Sequence, residues 1–447
     1  MAVPHSIKPD KQALQLSPPA ILSLGFLFLI VLGTSLLALP IASHQPISLL
    51  QAAFTATSAV TVTGLTVVDT ANYTLFGHMV IIGLVQFGGL GFMTFAILVL
   101  TTLQGKMGMS GALTAQEAMG GTSLSQVVHT AKAVIKIALS VELIGFIALV
   151  LCLAPLKGPS QAVYEAFFLC ISSFNNAGFA LTGDSLMPYV NTPLISTVIS
   201  GLVVMGGLGF LVVLDVLKRR QWRSFSTNTK VMLTGTVVVN AIAFGLYWLI
   251  ERNNAATIGE FELMEQLAAA WFMAVTTRSS GFNNMDIAQL DNASTLLTYF
   301  LMFIGAGSMS TGGGIKLGTF MIILATTWSY LRQRQQVILF GKAMPDKLVK
   351  KSFALMSISM LMVLVSAFLL SLTEPKGEIV DILFEVISAS STVGLSRNFT
   401  AHLTENGQLI IMFLMFMGRV GPLTLAYFIA TPKPTRIRYP ESHTLVG

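Results

Sequence analysis

The chain has 447 residues, of which 53% are hydrophobic and only 10% are charged. Its mean hydropathy is +0.75, so it has too few polar residues to cover the surface of a water-soluble globule. This composition predicts an integral membrane protein. The two cysteines, Cys152 and Cys170, are too few to define a disulfide framework.

Long apolar segments alternate with short ones along the chain. About 20 apolar residues can cross a bilayer as one helix, whereas about 14 are too few. The predicted crossing segments are residues 20–39, 75–103, 130–154, 193–217, 230–250, 294–331, 350–373 and 406–430. The predicted short segments, which would enter the membrane and return, are residues 48–60, 162–174, 262–276 and 378–390. The order long, short, long therefore occurs four times.

The basic residues test this topology, because Lys and Arg concentrate in cytoplasmic loops. If the short segments do not cross, most of the 26 Lys and Arg residues fall on one side of the membrane. That side holds both termini and the links 104–130, 218–230 and 332–351. The pattern predicts a multi-pass protein of the cell membrane with both termini in the cytoplasm.

One glycine marks an internal repeat. It lies in "VTVTGL", "FNNAGF", "TRSSGF" and "SSTVGL", as Gly64, Gly178, Gly281 and Gly394. Ten positions earlier stands an aromatic residue, which is Phe54, Phe168, Trp271 or Phe384. Further along each unit comes a second glycine motif: "FGGLGF", "MGGLGF", "IGAGSM" or "MGRVGP". Agreement at three landmarks predicts four homologous units of helix, pore helix and helix.

The predicted fold is an all-α integral membrane protein, with eight transmembrane helices and four re-entrant pore helices around a central pseudo-four-fold pore. The chain divides into a cytoplasmic N-terminus (1–19), pore unit 1 (20–103), a link with pore unit 2 (104–217), a link with pore unit 3 and its broken second helix (218–331), a link with pore unit 4 (332–430), and a cytoplasmic C-terminal tail (431–447).

Four non-helical stretches at membrane depth predict a path for cations. Such backbone is tolerated only where it is buried or lines a wet cavity, and converging carbonyls can replace the hydration shell of a cation. The C-terminal end of each short helix adds partial negative charge. At any single unit, a glycine that merely permits close helix packing is the alternative.

The predicted selectivity filter would bind a cation at its backbone carbonyls. Thr392-Val393-Gly394 matches the first three residues of the potassium-channel filter sequence. The predicted filter residues are Val60, Thr61, Val62, Thr63, Gly64, Phe174, Asn175, Asn176, Ala177, Gly178, Thr277, Arg278, Ser279, Ser280, Gly281, Ser390, Ser391, Thr392, Val393 and Gly394.

A glycine-rich stretch, "GAGSMSTGGGIK" (305–316), interrupts the sixth crossing segment. The equivalent motifs of the other units are expected to continue as helix, so the break is predicted to occur in the third unit alone and to make the four-fold arrangement asymmetric. Arg419 falls at the same level in the fourth unit, where its guanidinium can donate to carbonyls freed by the break. A packing kink is the alternative.

These motifs resemble the Ktr/Trk/HKT superfamily of potassium transporters, and within it the Ktr-type membrane subunit. The resemblance covers essentially the whole chain and rests on "TVTGL", "FNNAGF", "SSGF", "TVGL", "GAGSMSTGGGIK" and "MGRVGPLT". It implies potassium uptake, with the glycine-rich loop as the gate beneath the filter and the matching arginine helping to hold it shut. The gate residues so implied are Gly305, Ala306, Gly307, Ser308, Met309, Ser310, Thr311, Gly312, Gly313, Gly314, Lys316 and Arg419.

The resemblance also implies ions and partners. In the plant branch of the family, serine in place of the first filter glycine goes with sodium selectivity, so Gly64 favours potassium. The implied assembly is a homodimer on a cytosolic ring of nucleotide-binding regulatory subunits, with the tail "RIRYPESHTLVG" in the dimer contacts. The basic loops favour anionic membrane lipids. We expect no organic cofactor and no nucleic-acid partner, K⁺ as the transported ion, and Na⁺ as a candidate activator.

Two other functions stay open. A sodium- or proton-coupled potassium symporter would usually show inverted repeats, whereas these four units run in the same orientation. A membrane enzyme or a passive scaffold is disfavoured, because the sequence has no constellation of nucleophile, metal ligands or phosphate cradle.

Two charges within the membrane have open roles. For Arg278 we favour a structural role, in which it ties its loop to an acidic neighbour or to carbonyls. Glu142 is either a polar packing contact, which we favour, or part of a proton relay.

Overall fold

The computed structural model describes residues 18–91 and 124–421. Regular structure in these ranges is helical apart from one two-stranded hairpin. Several predicted segments lie outside the described residues: most of the N-terminus, most of the first cytoplasmic link, the far ends of the second helices of units 1 and 4, and the C-terminal tail.

Each unit contains a first helix, a short helix and a second helix. Units 1 and 2 comprise α1 (Pro18–Leu37), α2 (Leu49–Thr61), α3 (Leu75–Gly89), α4 (Leu124–Lys157), α5 (Pro159–Phe174), α6 (Pro193–Gly207) and α7 (Phe210–Arg219). Units 3 and 4 comprise α8 (Thr227–Glu251), α9 (Leu263–Thr276), α10 (Asn292–Phe303), α11 (Leu317–Leu331), α12 (Asp346–Thr373), α13 (Ile379–Ser390) and α14 (Glu405–Val420). A hairpin of β1 (Ile338–Leu339) and β2 (Lys342–Ala343) lies between units 3 and 4. The four short segments are confirmed as separate helices.

Capping residues in the sequence separate the short helices from their neighbours. At the start of α2, the backbone N–H of Gln51 donates to Ser48 Oγ at 3.2 Å, and the N–H of Ser48 donates to Gln51 Oε1 at 2.9 Å. This capping box satisfies two backbone donors that a helix leaves free at its first turn. Thr74 and Thr404 cap α3 and α14 through their hydroxyls. The order long, short, long is thus encoded locally.

Long apolar helices support a multi-pass membrane protein. Three helical stretches in the described ranges are long and apolar enough to cross a membrane: Lys132–Lys157 within α4, α8 and α12. The pair α6 and α7 would be a fourth if it counts as one bent span.

The units form a closed ring. Each short helix packs against the second helix of the unit before it: α5 against α3, α9 against α6, and α13 against α10. The ring closes because α2, of the first unit, packs against α14, of the last. The segments that follow the four short helices are therefore brought toward one axis.

One prediction about the second helices is wrong. The motif "MGGLGF" was expected to continue as helix, but α6 and α7 meet at 93° across residues 208–209, where Gly209 has a φ of +97°. The described helices α3 and α14 also end at this level, at Gly89 and Val420. The break in unit 3 is confirmed, since α10 ends at Phe303 and α11 begins at Leu317. What distinguishes unit 3 from unit 2 is the long loop at its break, because only two residues separate α6 from α7.

Candidate ion-conducting site

The four repeat glycines lie side by side in a ring. A Cβ atom added to each glycine would fall within 3.0 Å of the carbonyl oxygen of the residue just before the next unit's glycine. The pairs are Gly64 with Ala177, Gly178 with Ser280, Gly281 with Val393, and Gly394 with Thr63. Since the last pair returns to the first unit, the four predicted filter strands surround one axis. No side chain larger than hydrogen fits there without backbone movement.

Backbone strain is concentrated beside these glycines. All four have positive φ, between 72° and 96°. Two residues earlier, Val62, Asn176 and Thr392 have φ of 58°, 61° and 50°. Asparagine tolerates this left-handed conformation, but for the β-branched Val62 and Thr392 it is costly. Strain of this kind persists where the surroundings enforce it, and it is typical of functional sites.

Three pore-helix serines, which sequence reasoning missed, hold the filter strands. Ser58, Ser172 and Ser388 each accept, on the backbone carbonyl, the N–H of the residue before the filter glycine, at 2.8, 2.8 and 2.9 Å. Ser58 Oγ and Ser388 Oγ also accept the N–H of the glycine itself, each at 3.0 Å. The signal was present in the sequence, because serine stands six positions before the glycine in three units.

The hydrogen-bonded turn before the third filter glycine is one residue shorter than in the other units. Here the N–H of Ser280 donates to the carbonyl of Thr276 at 2.9 Å, four positions back instead of five. The helix register shifts with it: Phe272 is buried, whereas Trp271 is 37% exposed. The predicted equivalence of Trp271 with Phe54 is therefore wrong, and Phe272 takes that place. Accordingly, the third strand has no left-handed residue before its glycine.

A cavity of about 380 Å³ opens on one side of the glycine ring. Its walls come mainly from residues that follow the four glycines, and it includes all four glycines. Asp69, Asp184 and Asp286 line it, and no Lys or Arg is among its described lining residues. Such a cavity concentrates cations in front of the ring.

The ring carbonyls are the candidate ion ligands. Within the described ranges, no group of three or more His, Cys, Asp or Glu side chains could hold a metal ion. Backbone oxygens can bind a cation without side-chain ligands when several converge.

The glycine-rich loop, residues 305–314, lies on the other side of the ring. Asn176 Nδ2 donates to Thr311 Oγ1 at 2.7 Å, and a Cβ on Gly313 would collide with the Thr392 side chain. The loop thus contacts filter residues that precede the glycines, whereas the cavity is lined by residues that follow them. Lys316 Nζ donates back to the carbonyls of Gly312, at 2.6 Å, and Gly313, at 3.3 Å, which stabilises the end of the loop.

The loop is attached to the bend between α6 and α7. The N–H of Gly307 donates to the carbonyl of Gly207 at 2.8 Å, and the N–H of Phe210 donates to the carbonyl of Met309 at 3.0 Å. A Cβ on Gly209 would lie 2.5 Å from the carbonyl oxygen of Ser308. The unpredicted bend therefore supplies the backbone groups that pair with the loop.

Arg419 joins the loop to the first unit. Its Nη1 donates to the carbonyl of Thr311, and its Nη2 donates to the carbonyls of Gly88, at 2.6 Å, and Gly89, at 3.2 Å. The guanidinium lies at the level that the alignment of glycine motifs predicts. Carbonyls left free at helix ends are suitable acceptors for its five donors.

The Arg278 side chain lies behind its filter strand and is buried. Nη1 donates to Asn240 Oδ1 at 3.0 Å, and Nη2 donates to the carbonyl of Gly305 at 3.2 Å. Among its described contacts are carbonyl and amide oxygens and no carboxylate. Arg278 thereby connects the third filter strand to the first residue of the loop.

Glu142 belongs to a polar network behind the second filter strand. Gln86 Nε2 donates to both carboxylate oxygens, at 3.0 and 3.1 Å. Asn175 Nδ2 donates to Gln86 Oε1 at 2.6 Å and to Glu142 Oε1 at 3.5 Å. The carboxylate bonds to amides, and within the described residues no histidine or second carboxylate joins them.

Apolar helices in a closed ring, with a constricted axis between a cavity and a loop, are the features of an all-helical, multi-pass membrane transporter. The chain belongs to the TrkH family of cation transport proteins, whose family model matches residues 20–438. This confirms the predicted superfamily, which is a family of transporters and not of enzymes.

Curated relatives match over nearly their full length. The Ktr system potassium uptake protein B of Bacillus subtilis is 42% identical over 432 residues, covering 96% of this chain and 97% of the relative. The protein of the same name from Vibrio alginolyticus is 41% identical over 434 residues, covering 96% and 95%. The crystal structure of the potassium transporter TrkH from Vibrio parahaemolyticus has a TM-score of 0.76 at 19% identity and covers 94% of this chain and 87% of that one. The last similarity supports the fold alone.

Proposed function

We propose that the chain takes up potassium across the cell membrane through a channel-like filter formed by the four glycine strands. The observation that carries this function is the closed ring of Gly64, Gly178, Gly281 and Gly394 against one another's preceding carbonyls. Carbonyl oxygens around one axis favour a dehydrated cation. The acidic cavity on one side of the ring adds attraction for positive charge.

Potassium is the ion that the relatives' names support. Two relatives that are 41–42% identical over almost the whole chain are named potassium uptake proteins. The first filter glycine, Gly64, is the residue that the family resemblance associates with potassium. The filter would therefore hold K⁺ at backbone carbonyls of residues 60–64, 174–178, 277–281 and 390–394.

In the proposed topology, the four units cross the membrane eight times and the four short helices are re-entrant. The short helices have only 12 to 16 residues, which is too few to span the hydrocarbon core of a bilayer. Their C-terminal ends lead directly into the ring. Both termini would lie in the cytoplasm, as the distribution of basic residues predicts.

The loop of residues 305–314 is the proposed gate, held closed by Arg419. It lies against the filter on the side opposite the cavity and contacts Asn176 of unit 2. Since Arg419 bonds to both Thr311 and Gly88, it links the loop to the wall of the path. Loop displacement would open the axis toward the cytoplasm.

The partners follow from the family resemblance. We propose a homodimer regulated by a cytosolic nucleotide-binding ring, and the word "system" in the names of the Ktr relatives agrees with a protein of several components. Na⁺ is the candidate activator.

A sodium-coupled symporter is the second candidate. The potassium/sodium uptake protein NtpJ of Enterococcus hirae is 35% identical over 442 residues, covering 97% of this chain and 98% of that protein. Its name favours a role for sodium that a purely potassium-selective pore would lack.

Removal of the loop tests the proposed gate. For this deletion, a short glycine linker joins Ile304 to Ile315 in place of residues 305–314, because the two isoleucines form a parallel bridge and parallel segments cannot be joined by a tight turn. We expect the deletion to raise potassium flux into vesicles that contain the chain without a regulatory partner. An unchanged or lower flux, from a deletion variant as monodisperse and as heat-stable as the wild type, would contradict the gate.

A further inference from the structure

We propose that Thr311 is the latch of the gate loop, a positioning residue whose polar atoms tie the loop to units 2 and 4. This inference rests on the proposed function, since it names the residue that stabilises the closed loop. Thr311 lies in the middle of the loop, and its side chain is 0% exposed.

Every polar atom of Thr311 is bonded outside its own unit. Its N–H donates to the carbonyl of Gly206 at 3.3 Å. Its hydroxyl accepts from Asn176 Nδ2 at 2.7 Å and donates to the carbonyl of Phe174 at 3.3 Å. Its carbonyl accepts from Arg419 Nη1. One residue of unit 3 is thus fixed by three groups of unit 2 and one of unit 4.

Arg419 extends the connection to the remaining unit. Its second nitrogen, Nη2, donates to the carbonyls of Gly88 and Gly89 in unit 1. The other polar side chains described at the loop bond differently: Ser310 Oγ donates to Gly307, and Lys316 to Gly312 and Gly313, all within the segment. Thr311 is therefore the position in the described loop at which a small chemical change would loosen contacts with the other units.

Asn176 connects the latch to the filter. Its backbone is the left-handed residue of the second filter strand, and its Oδ1 accepts from Ser279 Oγ of the third strand at 3.0 Å. The amide thus bridges Thr311 and Ser279, and its position depends on the closed loop. If the loop moves away, the buried amide keeps only its longer bond, to the carbonyl of Phe174 at 3.4 Å. The loss of the shorter bond costs free energy unless water replaces it. The Thr311 hydroxyl therefore stabilises the closed loop and the order of two filter strands together.

Matched substitutions at position 311 test the latch. Thr311→Val removes the hydroxyl with little change of shape, Thr311→Ala removes it without a branched side chain, and Thr311→Ser keeps it. Thr327→Ala is the control, because the exposed Thr327 hydroxyl donates to the carbonyl of Ile323 within α11, outside the loop. The full-length chain of each variant, reconstituted without a regulatory partner, is measured for potassium flux beside the wild type and the loop deletion.

We expect Thr311→Val and Thr311→Ala to raise the flux about fivefold, the change in equilibrium that corresponds to one lost hydrogen bond. Thr327→Ala should match the wild type, and Thr311→Ser, which keeps the hydroxyl, should raise the flux less than either of the other two substitutions at position 311. If the loop deletion raises the flux but neither Thr311→Val nor Thr311→Ala does, the latch is wrong and the gate remains. If the deletion itself leaves the flux unchanged, the gate fails and the latch fails with it.

Discussion

Gly394 lies against the backbone carbonyl of Thr63, so the last repeat unit contacts the first. Three equivalent contacts join the other units, and together they close the backbone around one axis. Because a Cβ atom at any of the four glycines would collide with backbone, the ring requires glycine for space as well as for its positive φ. The proposed filter is thereby built on main-chain atoms, and the neighbouring side chains can differ from unit to unit.

Replacement of a ring glycine should abolish selective uptake. In Gly394→Ala, the new methyl group must displace the backbone carbonyl of Thr63. In Gly64→Ser, the new side chain must displace the backbone carbonyl of Ala177. We expect both variants to lose preference for potassium over sodium, as measured by competitive uptake. Gly245→Ala is the control, because nothing lies within 4 Å of the added atom; in the interior of α8 it should stabilise the chain by up to about 1 kcal/mol. Wild-type selectivity in Gly394→Ala would show that this strand does not line the path.

The hydroxyls of the three pore-helix serines should contribute unequally to ion selectivity. Ser58→Ala and Ser388→Ala each leave a filter glycine N–H without its hydroxyl acceptor, and an unsatisfied buried donor costs about 1–3 kcal/mol. We expect these two variants to conduct sodium more readily than the wild type. Ser172→Ala is the matched control, because the Ser172 hydroxyl has no hydrogen-bond partner in the described chain. Equal effects at the three positions would argue against hydroxyl support of the filter.

The bend between α6 and α7 should control the loop. Gly209→Ala places a methyl group 2.5 Å from the carbonyl oxygen of Ser308, at a φ of +97° that alanine disfavours. We expect the pairing of loop and bend to loosen, so potassium flux without a regulatory partner should rise. Gly201→Ala, on α6 with open space around it, should leave the flux unchanged. A potassium flux as low as that of the wild type in Gly209→Ala would mean that the bend supports the fold without controlling the loop.

Substitutions of Glu142 can distinguish a packing role of this residue from a role in proton transfer. The carboxylate is 7% exposed and accepts from Gln86 and Asn175, the latter on the second filter strand. Glu142→Gln cannot relay protons but keeps size and polarity, so we expect it to retain potassium flux at every pH. Glu142→Leu leaves the amides of Gln86 and Asn175 short of an acceptor and should lower the thermal midpoint. Loss of flux in a stable Glu142→Gln variant would favour a proton-coupled symporter.

Much of this molecule could be predicted from sequence. Apolar lengths placed the short helices within a few residues, because helix length and capping are local properties. The repeat glycines identified the ring, since only glycine tolerates both the conformation and the contact at these positions. Arg419 was placed at the level of the loop by counting from the filter glycine.

The rest depends on contacts between distant segments. The 93° bend at Gly209 was missed because "MGGLGF" is as apolar as a continuous helix, and its backbone partners lie a whole unit away at Gly307 and Met309. The shift of register in the third unit was missed because Trp271 and Phe272 are both aromatic and only burial separates them. The several bonds of Thr311 follow from the fold of three units, and no local pattern encodes them.

In the proposed function, potassium moves alone along the axis of the glycine ring. The most direct test of this function is the reversal potential of the full-length chain in vesicles, with potassium, sodium and proton gradients varied one at a time. We expect the reversal potential to follow the potassium gradient and to stay unchanged when the sodium or proton gradient is reversed. A reversal potential that shifts with either of those gradients would show that a second ion moves through the protein as well and would contradict the proposed function.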